Sequence, residues 1–173
     1  MKTLVIHPRD YTTDFLSDIY SDKDWEVINT SVSKKYLKEQ IKSHDRIVML
    51  GHGTEKGLIG FDRFIIDSTW VYLLRDKKCV FIWCNADKFV EKYKLSGFYT
   101  GMIISEYDEA LQYGINASWQ WINESNVDFA SAIKNSIDTE DMLRMSKKLY
   151  EGNTSVVEFN RDNLFYLDMN SVD

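Results

Sequence analysis

One proline, two cysteines and eight glycines in 173 residues exclude several architectures at the outset. Pro8 stands alone and the glycines form no run, so nothing resembles a linker, a low-complexity tract or an internal repeat. Two cysteines are too few for a disulfide scaffold. Cys79 and Cys84 lie on one expected strand at odd spacing, with about 16 Å of extended chain between them, and so do not bond to each other. Three histidines, with neither C-x-x-C nor H-E-x-x-H, argue against a metal centre. His52, Cys84 and Asp87 would supply three ligands where structural zinc takes four. No metal and no cofactor are expected.

Long apolar runs are missing too. No segment approaches the roughly 18 residues that span a bilayer. Met1-Lys2-Thr3 leads straight into Leu4-Val5-Ile6, which leaves no place for a secretory leader. The expectation is a cytoplasmic protein of a reducing compartment, with no membrane partner. A formal charge of −6 offers no basic face for phosphates, so nucleic acid is not an expected partner. The phosphate-cradling patterns G-x-G-x-x-G and G-x-x-x-x-G-K-[ST] are absent as well.

What is present is alternation. Short apolar runs at 3–7, 25–29, 46–50, 79–83 and 102–105 read as strands. Amphipathic stretches near 11–20, 34–43, 68–75, 87–94, 106–113, 119–137 and 140–150 read as helices. Ser33 and Asp67 or Ser68 are expected caps, and a break is expected near Asn126. Glycine-rich 57–61 and apolar 64–67 read as a hairpin across 60–63, and 156–159 with 164–167 as a terminal hairpin. Strands alternating with helices mean βαβ units, hence an α/β fold: a three-layer α/β/α sandwich with a mostly parallel sheet. The expected strand order is 2-1-3-4-5, with the switch point between the first and third strands. Residues 1–173 read as a single domain, with a core in 1–115 and helices plus a hairpin in 116–173.

Two of these runs end on reactive side chains. The run from Arg46 stops at Gly51-His52-Gly53, and the run from Cys79 stops at Cys84. Parallel neighbours emerge at one sheet edge, where open α/β sheets place their sites. If the two strands are adjacent, an imidazole and a thiol share that edge. This is the minimum equipment for cysteine nucleophilic catalysis. The amides of Gly53 and Cys84 are the candidate oxyanion hole. Each side chain also has a bland reading: a turn histidine, and a small buried hydrophobe.

The stretch Gly51-His52-Gly53-Thr-Glu-Lys-Gly57-Leu58-Ile-Gly60-Phe61, followed by a cysteine closing the next apolar strand, resembles the caspase-like clan CD cysteine peptidases. That group includes metacaspases, legumains, gingipains, separases and CHAT domains. The likeness covers about residues 1–115 in order of elements, and in residue identity only the two loops. It implies a peptidase in which His52 is the general base, Cys84 the nucleophile, and a peptide or protein the substrate. It also makes Arg9 and Asp10, after the first strand, and Ser105, Glu106 and Asp108, after the fifth, candidates for substrate binding. Trp83 before Cys84, and Asn85-Ala86-Asp87 after it, depart from the family pattern. The alternative is a non-catalytic binding module on the same scaffold. Such a module would sequester a small nucleotide-derived signal or a protein partner, as a phage or mobile-element factor would. Trp119 and Trp121 would be its natural contact surface; two positions apart on a helix, only one of them is expected to face outward.

Overall fold

Three strands rich in Val, Ile and Leu build the centre of the sheet, and their neighbours follow from the helices between them. The structure is a computed structural model and describes residues 1–171. Strand β1 (Thr3–Ile6) is flanked by β2 (Glu26–Ile28) and β3 (Arg46–Leu50), both parallel to it. Strand β3 pairs in parallel with β7 (Lys78–Ile82), which pairs in parallel with β8 (Gly97–Thr100). The antiparallel β9 (Leu164–Leu167) closes the edge, giving the order β2-β1-β3-β7-β8-β9. The expected order is observed for the first four parallel strands, and the fifth place is taken by a strand other than the expected 102–105.

Both faces of this sheet are covered, which is why β1 and β3 are buried at every position. Alternate residues serve alternate layers. Val5, Val48, Leu50, Val80, Ile82 and Phe98 pack beneath α5 (Trp119–Ser136), α6 (Met142–Leu149), α7 (Ser155–Asp162) and a 3-10 helix over Tyr11–Tyr20. Leu4, Ile6, Ile47, Met49, Phe81 and Trp83 face α1 (Lys34–Ser43), α2 (Val71–Leu74) and α3 (Ala86–Tyr93) on the other side. Each fully buried aliphatic side chain contributes about 1.5–3 kcal/mol, so these two layers dominate the fold's stability. The chain is the three-layer α/β/α sandwich that its alternating pattern implies.

A second sheet is small and antiparallel: β4 (His52–Thr54), β5 (Gly57–Gly60) and β6 (Arg63–Ile66). The expected hairpin is its β5–β6 half. The histidine loop is its third strand, reached because Gly51 adopts φ +144°, a conformation that side chains disfavour.

Three expectations are corrected. The terminal hairpin does not form: 156–159 lies inside α7, and β9 pairs with β8 instead. A strand of apolar residues facing a helix layer and a helix with the same stripe look alike over four positions, and Thr154 caps the helix through Val157 N. The fifth strand is Gly97–Thr100, not 102–105; the latter is the irregular segment after it. Finally, α5 runs unbroken through Asn126, whose side chain donates to Ser105 O at 3.0 Å.

Candidate functional site

In-register pairing of Leu50 with Ile82 delivers the ends of β3 and β7 to one edge. His52 enters β4 two residues after β3, and Cys84 follows β7 by two. Both line one recess of about 30 Å³, together with Thr13, Leu16, Ile103, Ser105 and Phe129. That is room for about one water.

His52 is oriented by a relay from the loop after β1. Asp10 caps the 3-10 helix by accepting Thr12 N–H at 2.9 Å, and its Oδ1 also lies 2.6 Å from Thr12 Oγ1. These two bonds from Thr12, hydroxyl first, hold the Asp10 carboxyl below its ordinary range. An ionised carboxylate only accepts, so the Thr12 hydroxyl donates to Asp10. Thr12 Oγ1 must then accept from His52 Nε2–H, 2.6 Å away. The tautomer follows: Nε2 carries the proton and Nδ1 the lone pair, the arrangement a general base needs. Asp10 Oδ2 stands 3.8 Å from Nε2.

Cys84 sits at a sharp strand-to-helix turn. Asn85 takes the left-handed conformation at φ 65°, which asparagine tolerates better than most residues. The Asn85 and Ala86 amides donate to Gly101 O and Trp83 O, whereas the Cys84 amide donates to no backbone carbonyl among the described residues. The thiol itself is turned toward the segment after β8. Sγ lies 3.5 Å from Ile103 O and 3.9 Å from Glu109 Oε2. Burial pushes the thiol up to about 11, and the Glu109 and Glu106 carboxylates add to the rise.

Glu109 belongs to α4 (Tyr107–Gln112) and is locked by a capping box with Glu106. Its Oε1 accepts from Ser105 N at 3.0 Å, Ser105 Oγ at 3.1 Å and Glu106 N at 3.0 Å. The segment is tied down from below by Asn160, whose amide bonds both Ile104 N (2.7 Å) and Ile104 O (2.9 Å). Glu106 is raised by burial and by Glu109, with His52 and Asp10 also close enough to influence it.

Trp83 lines the recess as well, while its indole packs in the layer across the sheet. It packs edge-on against Phe81 and Phe89 and donates Nε1–H to Thr54 O at 2.9 Å, supporting β4 from beneath. Gly53 exists for that contact: a Cβ there would lie 2.2 Å from Trp83 Cδ1 and 2.5 Å from Gly57 O.

Of the residues expected at the site, the structure gathers His52, Cys84 and Ser105 in the recess, with Asp10 behind His52 and Glu106 beside it. Asp108 is exposed on the first turn of α4. Arg9 is exposed, does not line the recess, and is anchored through its amide to Asn29 O. Thr12 and Glu109 are the residues missed. Asp-x-Thr and Glu-x-x-Glu are capping signatures legible in sequence, but neither says which distant residue the cap will face. Trp119 and Trp121 are both exposed, contrary to the expectation of one, because Trp119 opens α5 and stacks on Tyr107 at 5.0 Å instead of packing inward.

A cleft of about 600 Å³ opens at the opposite, amino end of the strands, where Arg46, Lys78 and Gly97 begin β3, β7 and β8. Its cations Arg46, Arg75, Lys77 and Lys78 are matched by Asp76, Asp138, Glu140 and Asp168, so it favours neither sign of ligand. Among the described residues there is no group of three potential metal ligands, and no helix is long and apolar enough to cross a membrane. No protein-family model matches this chain, and no curated protein matches it in sequence.

Proposed function

We propose that this chain is a caspase-like cysteine peptidase that acts in the cytoplasm on a peptide or protein substrate. The observation that carries the reading is the parallel β3–β7 pairing, which brings His52 and Cys84 into the lining of one recess with Nδ1 of His52 as the available base. In the reaction, Cys84 rotates off Ile103 O and gives its proton to Nδ1. The thiolate attacks the peptide carbonyl, and the Cys84 and Gly53 amides receive the oxyanion. His52 returns the proton to the leaving amine. Water, deprotonated by His52, then hydrolyses the acyl-enzyme and releases the acid and the thiol.

A second reading rests on a different observation. Sγ points away to Ile103 O and Glu109, and the recess is no larger than a water. A non-catalytic binding module, for a small nucleotide-derived signal or a protein partner, needs no thiolate and so tolerates a thiol turned away in this manner.

Labelling with acyloxymethyl ketone peptides, mapped by mass spectrometry, separates the two. The peptidase reading expects label on Cys84, none on Cys84→Ala, and slowed labelling of His52→Ala. Equal labelling of Cys84→Ala, or no effect of His52→Ala, overturns it. A nucleotide that raises the melting temperature of both variants as much as that of the parent supports the binding module.

A further inference from the structure

We infer that Glu109 is a positioning residue for Cys84: clamped by its own capping box, it presents a fixed carboxylate oxygen to the sulfur and holds the side chain in its resting, protonated form. The inference concerns the same site as the proposed peptidase, but it stands on the geometry of the thiol and not on turnover.

Two features make Glu109 more than a nearby acid. First, it cannot swing away without cost. Oε1 is the shared acceptor of two amides and a hydroxyl at the start of α4, and releasing it would orphan three donors. Second, the clamp leaves Oε2 directed at Sγ, with Ile103 O on the same side. An S–H can donate into this pair; an S⁻ would face a carbonyl dipole and a full negative charge. Thiolate, the reactive species, is therefore disfavoured where the side chain now rests. Burial of the sulfur acts in the same direction, as does Glu106 at the cap. The groups facing the thiol from other elements are His52 on β4, with Asp10 and Thr12 behind it.

The arrangement is a brake built from local structure. Ser105 and Glu106 fix Glu109, and Asn160 fixes the Ile104 backbone next to them, so the sulfur's surroundings are rigid. A substrate that draws Sγ off Ile103 O toward His52 frees the thiol from the brake. Reactivity is then coupled to occupancy.

The variant Glu109→Gln isolates the charge. A glutamine carbonyl keeps the three donors of the cap, and its amide places an N–H where Oε2 faced the sulfur. The readout is the rate of Cys84 alkylation by iodoacetamide against pH. In that reaction Sγ–C forms, iodide leaves and the thiol proton passes to solvent. Cys79 is 3% exposed with its thiol pushed up to about 12, so it stays silent, and Cys84→Ser gives the background. The expected result is a midpoint lowered by about one pH unit or more in Glu109→Gln. Glu109→Asp, which keeps the charge, should retain the high midpoint, and melting curves confirm that each variant folds. An unmoved midpoint in folded Glu109→Gln overturns the inference. A lowered midpoint with no labelling by peptide probes leaves the inference standing and removes the peptidase reading.

Discussion

His52 Nε2 lies 2.6 Å from the Thr12 hydroxyl, and the same hydroxyl lies 2.6 Å from Asp10 Oδ1. One oxygen therefore links an acid in the loop after β1 to an imidazole on β4 of the small sheet. The bond between Asp10 and Thr12 is ordinary capping. Asp67 and Thr69 reproduce it, with 2.9 Å to the amide and 2.6 Å to the hydroxyl, at the start of the short 3-10 turn over Ser68–Trp70. The added contact with His52 distinguishes the first cap from the second.

Thr12→Val removes this link while keeping the side-chain shape. The Asp10 carboxyl should rise toward its ordinary value, because the hydroxyl bond is the main cause of its depression. His52 should lose its single tautomer, which ¹⁵N shifts of the imidazole report directly. If His52 is the base, labelling of Cys84 should slow by about 10²-fold, within the range that general acid–base groups supply. An unchanged ¹⁵N pattern would show that Thr12 does not set the tautomer.

Gly53→Ala tests why the histidine loop is glycine-flanked. A methyl at 2.2 Å from the Trp83 indole and 2.5 Å from Gly57 O has nowhere to go, since the second neighbour is backbone. The expected loss is about 1–3 kcal/mol in urea unfolding, the usual cost of overpacking. Gly53→Ala with Trp83→Phe should recover part of it. A single variant as stable as the parent would mean that β4 shifts freely over Trp83.

His7 predicts a pH dependence of stability. It is 3% exposed, between Tyr20 OH at 2.9 Å and Thr13 Oγ1 at 3.2 Å. Burial lowers its pKa below the ordinary 6.5, against the opposing pull of Asp14, Thr13 and Asp10. Above that value both states hold neutral His7, and its contribution is constant. As pH falls through about 6.5 the unfolded chain binds the proton first, so stability drops until the folded value is reached. Urea unfolding between about pH 5 and 8 should show this slope in the parent and less of it in His7→Gln. Identical slopes would mean that His7 does not contribute to it.

The order β2-β1-β3-β7 was legible from residues alone, because parallel strands buried on both faces leave continuous apolar runs and right-handed crossovers admit few topologies; the place of the fifth strand was legible too, but its residues were expected at 102–105 and not at 97–100. The strand at 164–167 was legible as well, but its partner was not. Val156, Val157 and Phe159 fit a strand or a helix equally, and the Thr154 cap, together with the pairing of 164–167 with β8, decides between them. Trp83 illustrates the same limit. Its position before Cys84 departs from the family pattern, and only the folded chain shows that the indole packs against Phe81 and Phe89.

Periodicity and chain order alone determined that His52 and Cys84 leave neighbouring strands at a common edge, since strand direction and the period-two pleat are local properties. Tertiary structure decided what each then meets. Thr12 and Asp10 come to His52 from the loop after β1, and Ile103 and Glu109 come to Cys84 from the segment after β8. Such contacts join elements far apart in the chain, and hydrogen-bond partners across that distance are set by packing and not by any local preference. The imidazole and the thiol are thus placed by sequence, while their protonation is governed by neighbours that only the folded chain supplies.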